Sequence, residues 1–260
     1  MLALFMKSWR QCLVVSCVLL AFLVAILVVN YRIIIENLNE PLSYYVIHMT
    51  SNAERAANIE TQQTQLGHPI AVFEAVNGRA LKGDDDLLQF DPRLKTGNRK
   101  TSNQRVVGAE LGCYLSHFML LKQIAANPGN SQYSVILEDD FKLEGNTVAR
   151  DIQRIVDTLV DDGREADIIF LGTCSDNTGE PYKDNIREIQ DLSPSVVVMC
   201  THGYIVKNSS AEHIYSKLFE IDDPIDYKFN DMIKRGDIKA YVIIPPVVEQ
   251  QPGVISSTLR

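Results

Sequence analysis

"SVILEDDF", Ser134 to Phe141, runs from apolar residues straight into three adjacent carboxylates, Glu138, Asp139 and Asp140. Neighbouring like charges repel, and each acid would be more stable with a neutral or paired neighbour. Two readings account for the pattern: a solvated turn after a buried strand, or an anionic site that holds a cation. In extended backbone the side chains alternate faces, which predicts Glu138 and Asp140 on one side and Asp139 on the other. Two hard oxygen donors at a strand end suit Mn²⁺ or Mg²⁺. Carboxyl ends of strands are also where open α/β sheets bind ligands.

Working outward, "YYVIHM" (Tyr44–Met49) reads as a buried strand. Asn52 caps a predicted helix through Arg55, Ile59 and Leu66, ended by Gly67 and broken by Pro69. "IAVFEAV" (Ile70–Val76) is a second strand, closed by Asn77-Gly78. Strand, helix, strand in that order predicts a βαβ unit and a parallel sheet. The polar stretch Leu81–Arg105 is long for a loop in a compact domain. Its triplet Asp84-Asp85-Asp86 follows no strand and is read as a solvated turn. A helix is predicted from Gly108 to the breaker Asn127–Asn130, another from about Asn146 to Val160, and a strand at "ADIIFLG". "VVVMC" and "GYIV" read as strands around Thr201-His202, and Ser209 or Ser210 caps a helix toward Phe219. Asp226–Arg235 reads as a further helix, and "AYVII" as the last strand before Pro245-Pro246. No internal repeat is seen.

The 260 residues, 46% hydrophobic and 22% charged, suit one large α/β domain. A formal net charge of −8, with no basic stripe, excludes a general nucleic-acid binder. "CLVVSCVLLAFLVAILVV" (Cys12–Val29) is 18 residues without a charge, long enough to span a bilayer. Lys7 and Arg10 precede it, and Trp9 and Tyr31 flank it as interfacial aromatics. The expected organisation is a cytoplasmic tail (1–10), a transmembrane signal anchor (11–31), a short stem (32–42) and a catalytic domain (43–260). That is a single-pass type II topology, in the Golgi or endoplasmic reticulum of a eukaryote or the inner membrane of a bacterium. Cys113, Cys174 and Cys200 lie outside the span, and no CxxC occurs. Cys174 and Cys200 are able to pair in an oxidising compartment, but spacing does not decide it. The one N-x-S/T sequon, Asn208-Ser209-Ser210, fits a lumenal face for the domain.

On the predicted helix after Gly108, Glu110 and His117 stand seven apart and share a face with Cys113. His117 is therefore a core histidine satisfied by Glu110, or part of a site. Ser116 and His117 point about 100° apart, which rules out a hydrolase-type nucleophile–base pair.

"GAELGCYLSH" (Gly108–His117), followed about 18 residues later by "VILEDDF", resembles glycosyltransferase family 25, the lipooligosaccharide-biosynthesis and collagen galactosyltransferase family. "YYVIHMTSNAER", "FEAVNG", "THGYIVKNSSAEHI" and "PIDYKFND" resemble further blocks of the same family, although His48 stands where the pattern usually has Asn. The resemblance implies a Rossmann-like nucleotide-sugar transferase fold of the GT-A type. It implies transfer of a sugar, most often galactose, from a uridine diphosphate donor to a glycan or glycoprotein hydroxyl, with inversion. Glu138 and Asp140 would hold Mn²⁺ or Mg²⁺, and Asp139 would shape the turn or touch the ribose. Arg55 would lie near the nucleotide, with Glu110 and Ser116 beside the donor and His117 there in a catalytic role. Inversion needs one general base, for which Asp226 is the candidate and Asp231 the runner-up. Two alternatives stay open: a membrane-tethered pseudoenzyme or binding module, and a metal-dependent phosphohydrolase.

Overall fold

The computed structural model describes residues 42–99, 102, 104–129, 131–175, 179–189 and 198–251. The expected tail, membrane span and nearly all of the stem lie outside the described residues. Among the described residues no helix is long and apolar enough to cross a membrane.

Strand β1 (Ser43–His48) leads into helix α1 (Ala53–Leu66), capped as the sequence predicts. The Asn52 side chain accepts from the Arg55 N–H, and Gly67 ends the helix at φ 72° with its N–H on the Gln63 carbonyl. Strand β2 (Ala71–Glu74) then pairs parallel with β1, giving the expected βαβ unit. The polar segment after it is not structureless. Two 3₁₀ turns, Gly78–Ala80 and Asp84–Gln89, and the short strand β3 (Lys95–Thr96) order it, with Leu87 driven fully into the core.

Helix α2 (Gly108–Ala126) is buried on nearly every side, as its apolar composition demands. Strand β4 (Tyr133–Glu138) follows, then β5 (Phe141–Leu143) and helix α3 (Val148–Asp161). Val148, Ile152, Ile155, Val156 and Leu159 form the one apolar stripe of α3. Next come β6 (Ile168–Phe170), the hairpin β7 (Glu180–Lys183) and β8 (Ile186–Glu188), and β9 (Gly203–Lys207). Helix α4 (Ala211–Ser216), β10 (Glu220–Ile221), α5 (Ile225–Lys234), β11 (Ala240–Ile243) and β12 (Val248–Gln250) complete the described chain.

Eight strands form one sheet in the order β2-β1-β4-β9-β6-β11-β8-β7. The expected parallel sheet is mixed instead: β9 runs antiparallel between β4 and β6, and β8 is antiparallel to β11. Side chains alternate to two apolar layers. Ile136, Phe170, Tyr204 and Val242 face α2, α4 and α5, while Val135, Leu137, Ile169 and Tyr241 face the layer with α1 and α3.

Three further expectations are corrected. Residues 198–200 of "VVVMC" form no strand, because Cys200 turns through φ 72° and is tied to Cys174 by a disulfide. The helix toward Phe219 ends at Ser216, and Ser210 caps nothing with its side chain, which donates to Asp167 Oδ1 at 2.5 Å. Asn208 is buried, and its amide is bonded to Ser134, Pro128 and Ser131, so it is closed to a glycan.

The antiparallel insertion of β9 positions the site. β1, β4 and β6 end at one edge of the sheet, and β9 begins there. Gly203 pairs with Leu137, and the Glu138 N–H donates to the His202 carbonyl at 3.1 Å. His48, the acidic triplet and Thr201-His202 therefore meet at one sheet edge.

Candidate active site

The three acids have three different environments. β4 ends at Glu138, so the alternation predicted for Glu138 and Asp140 stops there, and Asp139-Asp140 form a turn. Asp139, expected to point away, shares a cation with Asp140: Arg55 NH1 lies 3.2 Å from Asp139 Oδ1 and 3.2 Å from Asp140 Oδ2. His48 Nδ1 sits 2.9 Å from Asp139 Oδ2. Asn58, on α1, clamps the turn by donating to the carbonyls of Asp139 and Phe141 at 3.1 and 3.0 Å.

Glu138 is held on one oxygen. Thr201 Oγ1 donates to Oε1 at 2.5 Å, His117 Nε2 lies 3.2 Å from it, and Cys113 Sγ lies at 4.0 Å. Burial works to raise the Glu138 carboxyl, but the hydrogen bond and charge of His117, with Thr201, outweigh it and hold it below the ordinary value. Asp140 Oδ2 accepts from Gln250 Nε2 at 2.9 Å. Its Oδ1 is buried and has no hydrogen-bond partner among the described residues. Burial and then the charge of Glu138 push the Asp140 carboxyl up, against the opposing pull of Gln250 and Arg55.

Asp226 lies in the first turn of α5. Its Oδ2 accepts from the Cys200 N–H at 3.3 Å and its Oδ1 from the Tyr227 N–H at 2.9 Å. Burial raises its carboxyl, with a smaller push from Glu138. Cys113 marks where the acids converge: burial, then the charges of Glu138, Asp226 and Asp140, push its thiol up.

The motif residues on α2 are divided between support and site. His117 is fully buried, bonded through Nδ1 to the Tyr204 hydroxyl at 2.9 Å, and it reaches the site only through Glu138. It is not satisfied by Glu110. That residue pairs instead with Arg99, at the start of the helix. Ser116 is buried too. Its hydroxyl donates to the Gly112 carbonyl at 2.7 Å and accepts from the Val76 N–H at 2.8 Å, so both its capacities serve the backbone. Gly112 is the residue that allows this approach: a Cβ there would fall 2.5 Å from the Val76 carbonyl oxygen. Asp231 faces Arg235 across one turn of α5, 4.0 Å away.

Residues 42–229 match the family described as Glycosyltransferase family 25 (LPS biosynthesis protein). The chain belongs to glycosyltransferase family 25. Among curated relatives, it is 22% identical over 208 residues to procollagen galactosyltransferase 2 of Homo sapiens, covering 73% of this chain and 32% of that protein. It is 26% identical over 199 residues to a glycosyltransferase 25 family member of Aedes aegypti, covering 72% and 31%. It is also 26% identical over 137 residues to a probable inactive glycosyltransferase 25 family member 3 of Rattus norvegicus, covering 52% and 23%. The chain thus spans about a third or less of the length of these relatives.

The residues that sequence reasoning missed are His48 as a partner of Asp139, Asn58, Thr201, Tyr204 and Gln250. Each reaches the acidic turn or His117 across a separation of more than 60 residues. Only Thr201 had a local signal, its position between two predicted strands.

Proposed function

We propose that this family 25 chain is a metal-assisted, inverting glycosyltransferase of GT-A type, moving a sugar from a UDP-sugar to a hydroxyl of a glycan or glycoprotein. Galactose is the first candidate, since the human relative is a procollagen galactosyltransferase. The observation that carries the reading is the buried, unpartnered Oδ1 of Asp140 beside a second carboxylate, Glu138. A buried anionic oxygen without a donor costs several kcal/mol unless a cation meets it. The donor set is hard oxygen, which fits Mn²⁺ or Mg²⁺ better than a thiophilic ion. Such an ion supplies charge neutralisation for a departing diphosphate.

The chain's own residues do the rest. Arg55 fixes Asp139 and Asp140 in one arrangement, and Asn58 holds the turn that carries them. Thr201 and His117 hold Glu138 Oε1 and leave its other oxygen for a ligand. His117 is thereby a positioning residue. Asp226 takes the proton of the acceptor hydroxyl while that oxygen bonds the anomeric carbon and the bond to the diphosphate breaks. The raised pKa of Asp226 makes it a better proton acceptor than a solvated aspartate once ionised. The proposal extends to the apolar segment 11–31, outside the described residues, as a type II membrane anchor.

The test is a donor panel with Mn²⁺, reading nucleotide diphosphate release with and without acceptors, and calorimetry of UDP binding. Asp140→Ala should abolish Mn²⁺-assisted UDP binding and turnover together. Wild-type protein that binds neither Mn²⁺ nor UDP overturns the reading. Release of phosphate from simple esters without any acceptor would assign a phosphohydrolase instead.

A further inference from the structure

A second cluster of metal-ligating atoms stands on the strand-entry side of β9. Cys174 Sγ, Cys200 Sγ and a ring nitrogen of His202 all lie within 4.8 Å of one another. The sulfurs are joined as a disulfide, so as it stands the group holds no cation. His202 supplies an independent observation. It is 3% exposed, its Nε2 lies 3.1 Å from the Val248 carbonyl, and its Nδ1 has no hydrogen-bond partner among the described residues. A carbonyl only accepts, so Nε2 carries the proton, and in the neutral ring Nδ1 carries a free lone pair. That is the tautomer of a histidine ready to ligate a metal, with its other nitrogen held by a backbone oxygen.

We propose that Cys174, Cys200 and His202 form a redox-gated site for a thiophilic divalent cation such as Zn²⁺. A dithiol reductant transfers two electrons and two protons to the disulfide, giving two thiols and becoming a cyclic disulfide itself. On binding, each thiol releases its proton, and the two thiolates with one neutral imidazole cancel the charge of the ion. In a tetrahedral site thiolates bound at about 2.3 Å sit about 3.8 Å apart. The sulfurs must therefore separate, and Cα atoms 5.8 Å apart permit this by side-chain rotation. Cys174 is exposed, so a reductant reaches the bond and the fourth coordination position opens to solvent. The Cys113, His117 and Glu138 cluster offers a similar trio. There, however, the imidazole is partnered on both nitrogens and nothing is left over.

The experiment is an anaerobic titration of the full chain with Co²⁺, before and after reduction by dithiothreitol and its removal. Reduced wild type should develop a sulfur-to-cobalt charge-transfer band and the intense visible bands of tetrahedral Co²⁺, saturating at one equivalent beyond any Co²⁺ that the oxidised chain takes up. The oxidised chain should show neither. Cys174→Ser, at an exposed position, should lose the band, while Cys113→Ser keeps it. His202→Gln should weaken binding by roughly ten-fold or more. No band in the reduced wild type, or one that survives Cys174→Ser, overturns the assignment. The readout is optical, so it stands or falls separately from sugar transfer. If that reading also holds, occupancy reaches the base, because the Cys200 N–H donates to Asp226.

Discussion

Gly112→Ala tests whether the family motif on α2 is shaped by contact rather than by chemistry. The new Cβ would lie 2.5 Å from the Val76 oxygen, 2.8 Å from the Gly78 nitrogen and 3.3 Å from the Gly78 Cα, all backbone atoms that no rotamer change can move. Ordinary contact needs about 3.5 Å, so the helix and the 76–78 segment must part by roughly 1 Å. That stretches the 2.8 Å bond from the Val76 N–H to Ser116 Oγ beyond hydrogen-bond range. Overpacking costs about 1–3 kcal/mol, and the lost bond about 1 kcal/mol more. Alanine returns about 1 kcal/mol of helix propensity. The net is a loss of about 2 kcal/mol, which for a domain of this size lowers Tm by roughly 4–8 °C.

Thermal unfolding followed by circular dichroism reads this directly. Gly83→Ala is the control, since its Cβ meets nothing within 4 Å and its φ of −171° suits any residue. It should stay within about 0.5 kcal/mol of wild type. Equal melting temperatures for the two variants would refute the close approach. Activity should fall in Gly112→Ala as well, because a shift of α2 carries Cys113 and His117 away from Glu138.

Tyr204→Phe removes the hydroxyl bonded to His117 Nδ1 and leaves a fully buried ring nitrogen without a partner. The expected cost is about 1–3 kcal/mol, read as a lower Tm, and an unchanged Tm would show that the bond contributes nothing. The acid limb of kcat/KM should lie above the ordinary aspartate range. Asp226 must be ionised to act as base, and burial raises its pKa, so the rate climbs as pH rises through that raised value. Asp226→Asn should abolish the rate across the range, and Asp231→Asn should leave the limb in place. A limb at or below the ordinary value assigns the base elsewhere.

What was legible in the sequence was local. Asn52, Gly67 and the short apolar runs of β1 and β4 specify their elements with information held within a few residues. The family motifs placed Glu138, Asp140 and His117 at one edge of the sheet. Hydrophobic periodicity does not encode strand direction, so a parallel sheet was expected where β9 runs antiparallel. That inversion is what delivers Thr201 to Glu138. The Glu110–His117 pairing failed for a different reason. Sharing a helix face permits contact without requiring it, and Glu110 at the helix start found Arg99 instead.

The repulsion among the three adjacent acids is met unequally, and the inequality points to their roles. Asp139 is matched by His48 and Arg55, Glu138 is held on one oxygen by Thr201 and His117, and Asp140 keeps one oxygen unmatched. A solvated turn would leave all three alike and exposed, at little cost in high dielectric. Here Asp139 and Asp140 are buried, and one guanidinium serves both. Three carboxylates are thus gathered around one buried guanidinium, Arg55. A divalent cation between Glu138 and Asp140 would offset the repulsion that raises the Asp140 carboxyl. If the turn is purely structural, added Mn²⁺ should leave the Tm of wild type and of Asp140→Asn alike unchanged. If it is a cation site, the same variant should lose the stabilisation that added Mn²⁺ confers on wild type, which at saturating metal amounts to a few kcal/mol.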